Sequence, residues 1–408
     1  MRLPFRPLLL FVGLAGLSAC QDPAGVGLGL IDEEGADPRV TVLAATSVDT
    51  ALVDRTSIGF ADSSAGLPQT RVLAGDVSDP VFGDARAVGY VDFIQPEIPG
   101  GTEPADVLAV RLEVQRTYVY GDTTTTLSLG LRQVQGTWSP TLDYPADTLL
   151  NVGPVLTTSA VSVADDVVSF DLPEAWVRAN AAALIGDDFT GGVEDGGFEG
   201  FALEPTRTGG VGAVFGFQAQ TPRTRLQVLT TTDTLSYRVG EVFSSVQRGA
   251  IASLPPGFSP AQVTSGRAVG LRFPLDTVGP LPLARAVLRA PVEVSLAREG
   301  AFVRPIARNA LLYGIDEGTG ERLLIAAVTV DSGVASTVPG SLTSALQDAV
   351  VGERRFERFE LVPGAERLSA VGNEVLPASL DILPVRVGVT APPDDPDGPR
   401  LSLTVIGS

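Results

Sequence analysis

From about residue 40 the chain is written in short runs that alternate apolar and polar positions. Examples are RVTVLAATSVDTALV at 39–53, ARAVGYVDFI at 85–94, VLAVRLEV at 107–114, TLSLGLRQV at 126–134 and TRLQVLT at 224–230. Gly, Pro, Asp and Thr separate the runs. A period of two puts alternate side chains on opposite faces of a strand, so each run predicts an antiparallel strand with one buried face. Many such strands, about ten residues apart, predict β-sandwiches.

The pattern also repeats. Arg86-Ala87-Val88-Gly89 recurs as Arg267-Ala268-Val269-Gly270, and the strand at Ala109-Val110 has a counterpart at Ala286-Val287. Residues 172–186 align without gaps to 338–352, FEGFALEP at 198–205 to FERFELVP at 356–363, and PRTRLQV at 222–228 to PRLSLTV at 399–405. Five matches in one order predict a duplicated unit. The expected fold is all-β: two tandem antiparallel β-sandwich modules of jelly-roll type, at 40–240 and 241–408, each with one short helix. In the first helix Asp171 and Glu174 have capping-box spacing, and Pro173 fits the first turn. Leu172, Trp176, Ala179 and Ala183 follow at helical steps and predict its buried face. Leu342, Leu346 and Ala349 or Val350 play that part in the second. Trp176 stands where the second copy has Leu342, which assigns it to packing.

The first residues have a different pattern. Arg2 and Arg6 precede an apolar run, Leu8 to Leu17, and small residues lead to Cys20, the one cysteine of the 408-residue chain. This is the layout of a secretory signal peptide at 1–19, and its apolar run is shorter than the ~20 residues that cross a bilayer. Leu17-Ser18-Ala19-Cys20 resembles the lipobox of bacterial lipoproteins, which implies that Cys20 is lipidated and becomes the mature N-terminus. Residues 20–39, rich in Gly and acids, are too poor in apolar surface to pack and are expected to form a tether. Gln21 after the cysteine leans towards sorting to the outer membrane. The expected location is the bacterial cell envelope, lipid-anchored, on the periplasmic or surface face.

Composition narrows the chemistry. Hydrophobic residues make up 44% and aromatics 6%, so the cores should be aliphatic. Net charge is -19, every basic residue is Arg, and no basic patch carries interleaved aromatics, so nucleic acid is not an expected partner. Adaptation to salt and a G+C-rich genome are both consistent with this bias. One cysteine precludes an intrachain disulfide. The absence of His removes the commonest metal ligand and general base, and with it Ser-His-Asp triads and Cys-His dyads.

Residues 72–93, with Asp79-Pro80-Val81-Phe82-Gly83 inside them, then ADVLAVRLEV at 105–114 and YVYGD at 118–122, resemble an uncharacterised domain family of secreted Bacteroidota lipoproteins. The first module is also similar to DNRLRE-type jelly rolls akin to carbohydrate-binding modules. That similarity lies in Trp138-Ser139, Phe170-Asp171-Leu172 and the Gly-Phe-Ala-Leu strand at 200–203. The resemblance implies a β-sandwich lipoprotein facing the periplasm or the surface, and it supplies no catalytic residues.

Carboxylates are the abundant reactive groups. Asp165-Asp166, Asp187-Asp188, Glu194-Asp195 and Asp394-Asp395 lie among turn residues and read as solvated loop positions. A structural calcium held by such oxygens is left open, without assigned ligands. The densest aromatic group is Tyr118, Tyr120, Trp138 and Tyr144. It could present rings to sugar faces, or it could be core, since Tyr118 and Tyr120 share one face of a strand. The expected function is non-catalytic: a lipid-anchored protein that binds glycan or another envelope component. The alternatives are a structural or assembly lipoprotein contacting a membrane protein and a carboxylate-dependent glycosidase.

Overall fold

The computed structural model describes residues 38–52, 59–61, 71–138, 147–186, 189, 198–206, 211–219, 221–249, 257–263, 267–280, 282–338, 340, 342–364, 367–368, 374–375, 379–387 and 398–406. Cys20 and Tyr144 lie outside them, as do Asp187-Asp188, Glu194-Asp195 and Asp394-Asp395. The fold is all-β. Among the described residues, two large antiparallel sheets of thirteen and eleven strands carry two α-helices, α1 (Glu174–Ile185) and α2 (Thr343–Val350).

The duplication read from short matches is visible in the strand pairing. In the first sheet Gly83–Ile94 pairs with Arg71–Asp79 and with Phe201–Thr206; the path continues through Leu127–Val134 to Val152–Val161. In the second, Arg267–Arg272 pairs with Phe258–Gln262 and with Phe356–Pro363; the path continues through Asn309–Asp316 to Arg322–Asp331. The strand beneath each helix follows the same rule. Val107–Asp122 takes Val167–Asp171 and Arg225–Thr230 as partners, and Leu283–Pro291 takes Val334–Thr337 and Arg400–Ile406.

The module boundary differs from the one expected. Residues 40–52, read as the start of the first module, belong to the second sheet together with Pro38 and Arg39, read as the end of the tether: Pro38–Ala44 pairs with Arg400–Ile406, and Ser47–Leu52 with Arg267–Arg272. The first sheet fills the equivalent place with Thr234–Arg248, which pairs with Arg225–Thr230 and Gly83–Ile94. The chain preceding each repeat thus closes the other repeat. Apolar alternation marks a segment as a strand but does not say which open edge it will join, and the edge N–H and C=O groups accept any strand of fitting pattern.

Helix α1 also corrects two details. Its buried side is Trp176, Val177, Ala181 and Leu184, rather than a face through Ala179 and Ala183. Steps of four and three from Val177 place Ala181 and Leu184 on one stripe, and Val and Leu bury more apolar area than the alanines would. The expected capping box does not form. No side chain caps the helix, and Asp171 instead makes a 2.6 Å ion pair with Arg111 of the neighbouring strand. In α2, Leu346 and Val350 are buried with the preceding Leu342, as its spacing implied.

Each sheet has an aliphatic core of its own. The first is supplemented by a ring cluster in which Trp176 packs on Phe198 and Phe201, and Phe189 on Tyr237. A third apolar cluster is shared: Leu73, Phe82, Tyr118 and Tyr120 of the first repeat meet Phe302, Leu380 and Ile382 of the second. This seam depends on the connection at 292–308, which leaves the second sheet and adds Phe302–Val303 to Val107–Asp122 of the first. The next residue, Arg304, is fully buried against Asp79. Its Nε donates to Oδ2 at 2.8 Å and its Nη2 to Oδ1 at 3.0 Å. Tyr120 donates to Asp79 Oδ2 as well, while the backbone N–H groups of Val81 and Phe82 donate to Oδ1. Asp79 therefore closes its own turn and receives the arginine of the other repeat. Gly83 ends that turn at φ 82°, a left-handed conformation that suits glycine.

Breaking one side of a buried ion pair costs about 3–5 kcal/mol, because the remaining charge is stranded. Arg304→Ala should lower unfolding stability in urea by about that amount. The double variant Asp79→Asn/Arg304→Met, which strands no charge, should recover most of it. A loss below about 1 kcal/mol for Arg304→Ala, the scale of an exposed pair, would show that this contact does not anchor the seam.

Candidate functional site

Of the aromatic residues singled out by sequence, Tyr118, Tyr120 and Trp138 are core, and Tyr144 lies outside the described residues. Tyr118 and Tyr120 do share a face of Val107–Asp122, as their two-residue spacing implied, and that face is the buried seam. Tyr118 is 7% and Tyr120 1% exposed, so neither ring can stack on a sugar. Trp138 is buried in a separate cluster with Tyr90 and Phe243, where its Nε1 donates to the Glu199 carbonyl at 2.9 Å. The exposed aromatic platform is therefore not formed by these three side chains. Burial overrides it: an apolar ring on a strand face that meets a second sheet is worth more packed than wet. Asp165 is a turn residue as expected, accepting from the N–H and hydroxyl of Ser162. Among the described residues, no group of three or more His, Cys, Asp or Glu side chains is arranged to hold a metal ion.

Beside Trp138 lies a carboxylate group that sequence reasoning passed over. The register of Thr234–Arg248 against Gly83–Ile94 slips between Val239 and Val242, so Gly240 and Glu241 bulge opposite Asp92. Glu199 approaches from the other side because Gly200, at φ 80°, presses against the Val91 carbonyl, where a Cβ would lie 2.2 Å from that oxygen. Asp92 is 4% exposed; burial, and then Glu241 and Glu199, push its pKa up to about 8, against the Phe93 N–H that favours its charged form. Burial raises Glu199 and Glu241 as well. An acid inside the apolar run VGYVDFI was the available signal. Asp92 holds a proton at neutral pH inside the sheet, with the solvent contact of a structural group.

An open polar cleft lies elsewhere, at the seam. It has a volume of about 590 Å³, and Arg71, Tyr118, Arg308, Asn309, Ser379 and Asp381 line it. Both repeats contribute: Arg71 starts Arg71–Asp79 of the first sheet, while Asp381 immediately precedes Ile382–Arg386 of the second. The Arg71 guanidinium lies over the Tyr118 ring, 4.5 Å from its centre. Its stem crosses Gly216, where a Cβ would fall 2.4 Å from Arg71 Cδ, so the glycine is the space through which the arginine reaches the ring. The Tyr118 hydroxyl accepts from the Leu380 N–H at 2.9 Å and hydrogen-bonds the Asp381 carboxyl. Burial pushes Asp381 up to about 6, opposed by the Tyr118 hydrogen bond and by the charge of Arg71.

No family model matches the chain, and no curated protein or solved structure matches it. The cleft must therefore be read from its own chemistry. Asp381 Oδ1 is buried without a hydrogen-bond partner, an acceptor that costs stability unless something donates to it. Arg71, Asn309 and Ser379 line the same cleft, and Ser379 hydrogen-bonds the Asp381 carboxyl. The volume falls in the range of small-ligand sites, about 300–1,000 Å³. Sequence could not have assembled this group, whose members lie up to 310 positions apart and meet only because the repeats share a seam.

The raised pKa of Asp92 has a consequence for stability. A carboxyl whose folded pKa exceeds its unfolded value holds its proton more tightly when folded, so its contribution is complete below the unfolded pKa and is lost as pH rises through the folded one. The melting temperature should fall from about pH 5 to about pH 8.5, and Asp92→Asn should flatten that fall. An unchanged pH profile in Asp92→Asn would show that this group is not the one titrating.

Proposed function

We propose that the chain is a lipid-anchored cell-envelope protein of bacteria, tethered through Cys20, whose seam cleft is a non-catalytic site for a hydroxyl-rich ligand, a glycan. The observation that carries the reading is the unpartnered Asp381 Oδ1 in a polar cleft of about 590 Å³. Sugar hydroxyls donate to carboxylates and accept from Arg, Asn and Ser, and these are the groups the cleft holds. The cleft thus replaces the buried aromatics as the place where such binding occurs. Among the described residues that line it, Asp381 is the one carboxylate, so the two-acid arrangement of glycoside hydrolysis is not seen among them.

The anchoring reading rests on the lipobox. Seventeen residues separate Cys20 from Pro38, enough chain to reach at most about 60 Å. That tether enters the second sheet, beside the C-terminal strand.

The soluble form beginning at Gln21 should bind at least one polysaccharide on a glycan array, and Asp381→Ala should abolish that binding while leaving the melting temperature unchanged or higher. A stable Asp381→Ala variant that binds as the parent does would displace the site from this cleft. An array with no hit, together with crosslinking of the native protein to an envelope protein, would favour the assembly reading. For the anchor, Cys20→Ser should move the protein from the membrane fraction to the aqueous one; an unmodified Cys20 thiol in mass spectra of the native protein would contradict lipidation.

A further inference from the structure

We infer that the glycan taken by the seam cleft is an acidic one, whose sugar carboxylate is held by Arg71 while a hydroxyl of the same or the adjoining residue donates to Asp381. The inference rests on the glycan reading of the cleft and names the class of sugar.

Three features of Arg71 carry it. First, the side chain is positioned before any ligand arrives. Its stem passes over Gly216 and its guanidinium lies on the Tyr118 ring, so little rotamer freedom is left to lose on binding. Second, among the described residues its guanidinium is given no hydrogen bond or ion pair: the contact shown is with the face of a ring, which leaves the planar N–H fork in the plane of the guanidinium. That fork matches a carboxylate in two parallel hydrogen bonds.

Third, the arginine and the aspartate share the cleft without pairing. Asp381 responds to the charge of Arg71, but no ion pair joins them, and Asp381 Oδ1 has no hydrogen-bond partner among the described residues. Had the two been close enough to bridge, each would satisfy the other and the cleft would be closed to ligands of either character. Held apart, they present an anion-binding fork and a hydroxyl acceptor at separate places. A neutral sugar supplies the hydroxyl and leaves the guanidinium without an anion. A simple carboxylate supplies the anion and leaves Asp381 Oδ1 without a donor. A uronic acid supplies both from one ring. Arg308 lines the same cleft, and its charge, like that of Arg71, acts on the Asp381 carboxyl.

The experiment is titration calorimetry on the protein beginning at Gln21, with trisaccharides of galacturonate, glucuronate and mannuronate, each compared with its carboxyl-reduced neutral counterpart. At least one acidic trisaccharide should bind about tenfold or more tightly than its neutral counterpart, a difference that shrinks as NaCl rises. Arg71→Met, which keeps a stem over Gly216, should remove the preference, so that each acidic trisaccharide binds no more tightly than its neutral counterpart; Arg71→Lys should keep the charge and recover only part of the preference. Equal binding of every acidic and neutral pair would overturn this inference and leave the glycan reading standing. Binding of neither member of any pair would overturn the glycan reading and this one with it. Should Arg71→Met fail to fold, Gly216→Val, which displaces the arginine from the ring, provides the same comparison.

Discussion

The contact on which the structure turns is the one between Arg304 and Asp79. A guanidinium and a carboxylate, each taken wholly out of water, are tolerated only where geometry is good and the remaining donors and acceptors are met. Here Asp79 receives two hydrogen bonds from Arg304, one from Tyr120 and two from its own turn. The pair joins residues 225 positions apart, from different repeats, and it does so at the centre of an apolar cluster that both repeats supply. It fixes where the connection at 292–308 crosses onto the first sheet. Through the next residues, Pro305 to Asn309, it also places one wall of the cleft.

Exchange of the leading strands acts in the same sense. A duplicated sandwich in which each copy closed itself would leave the two free to separate. Because residues 38–52 close the second sheet, that repeat is not complete from its own contiguous stretch of chain, and the first sheet, closed by the Thr234–Arg248 that follows it, takes Phe302–Val303 from the second. The cleft inherits this dependence. Arg71 and Tyr118 come from one repeat, Asp381 and Arg308 from the other, and they face one another only while the seam is shut. A ligand held by both sides would in turn stabilise the closed seam by mass action.

Much of the architecture was legible in the sequence because it is encoded locally. Period-two alternation gave the strands, and the matches at 86–89 and 267–270, or 198–205 and 356–363, pointed to strands that occupy equivalent places in the two sheets. The helix α2 face followed from Leu342, Leu346 and Val350. What was not legible is what depends on meeting distant chain. The pattern of 38–52 identifies strands but not their partner edge. The Asp171 cap was lost to Arg111, an ion pair between neighbouring strands that no helix motif announces. Tyr118 and Tyr120 carried the right spacing for a shared face, and whether that face is wet or dry was decided by a second sheet. Arg71, Asp381 and the bulge that brings Glu241 to Asp92 have no local signature beyond a charge at the end of, or inside, an apolar run.

The central claim is that the two repeats form one cooperative body through the shared seam. Urea unfolding followed at once by tryptophan fluorescence and by far-ultraviolet circular dichroism tests it most directly. Both tryptophans, Trp138 and Trp176, lie in the first repeat, whereas the dichroism reports both sheets. The account predicts a single transition at the same denaturant concentration by both probes. Two separated transitions, with the fluorescence change complete while half of the β signal remains, would contradict it.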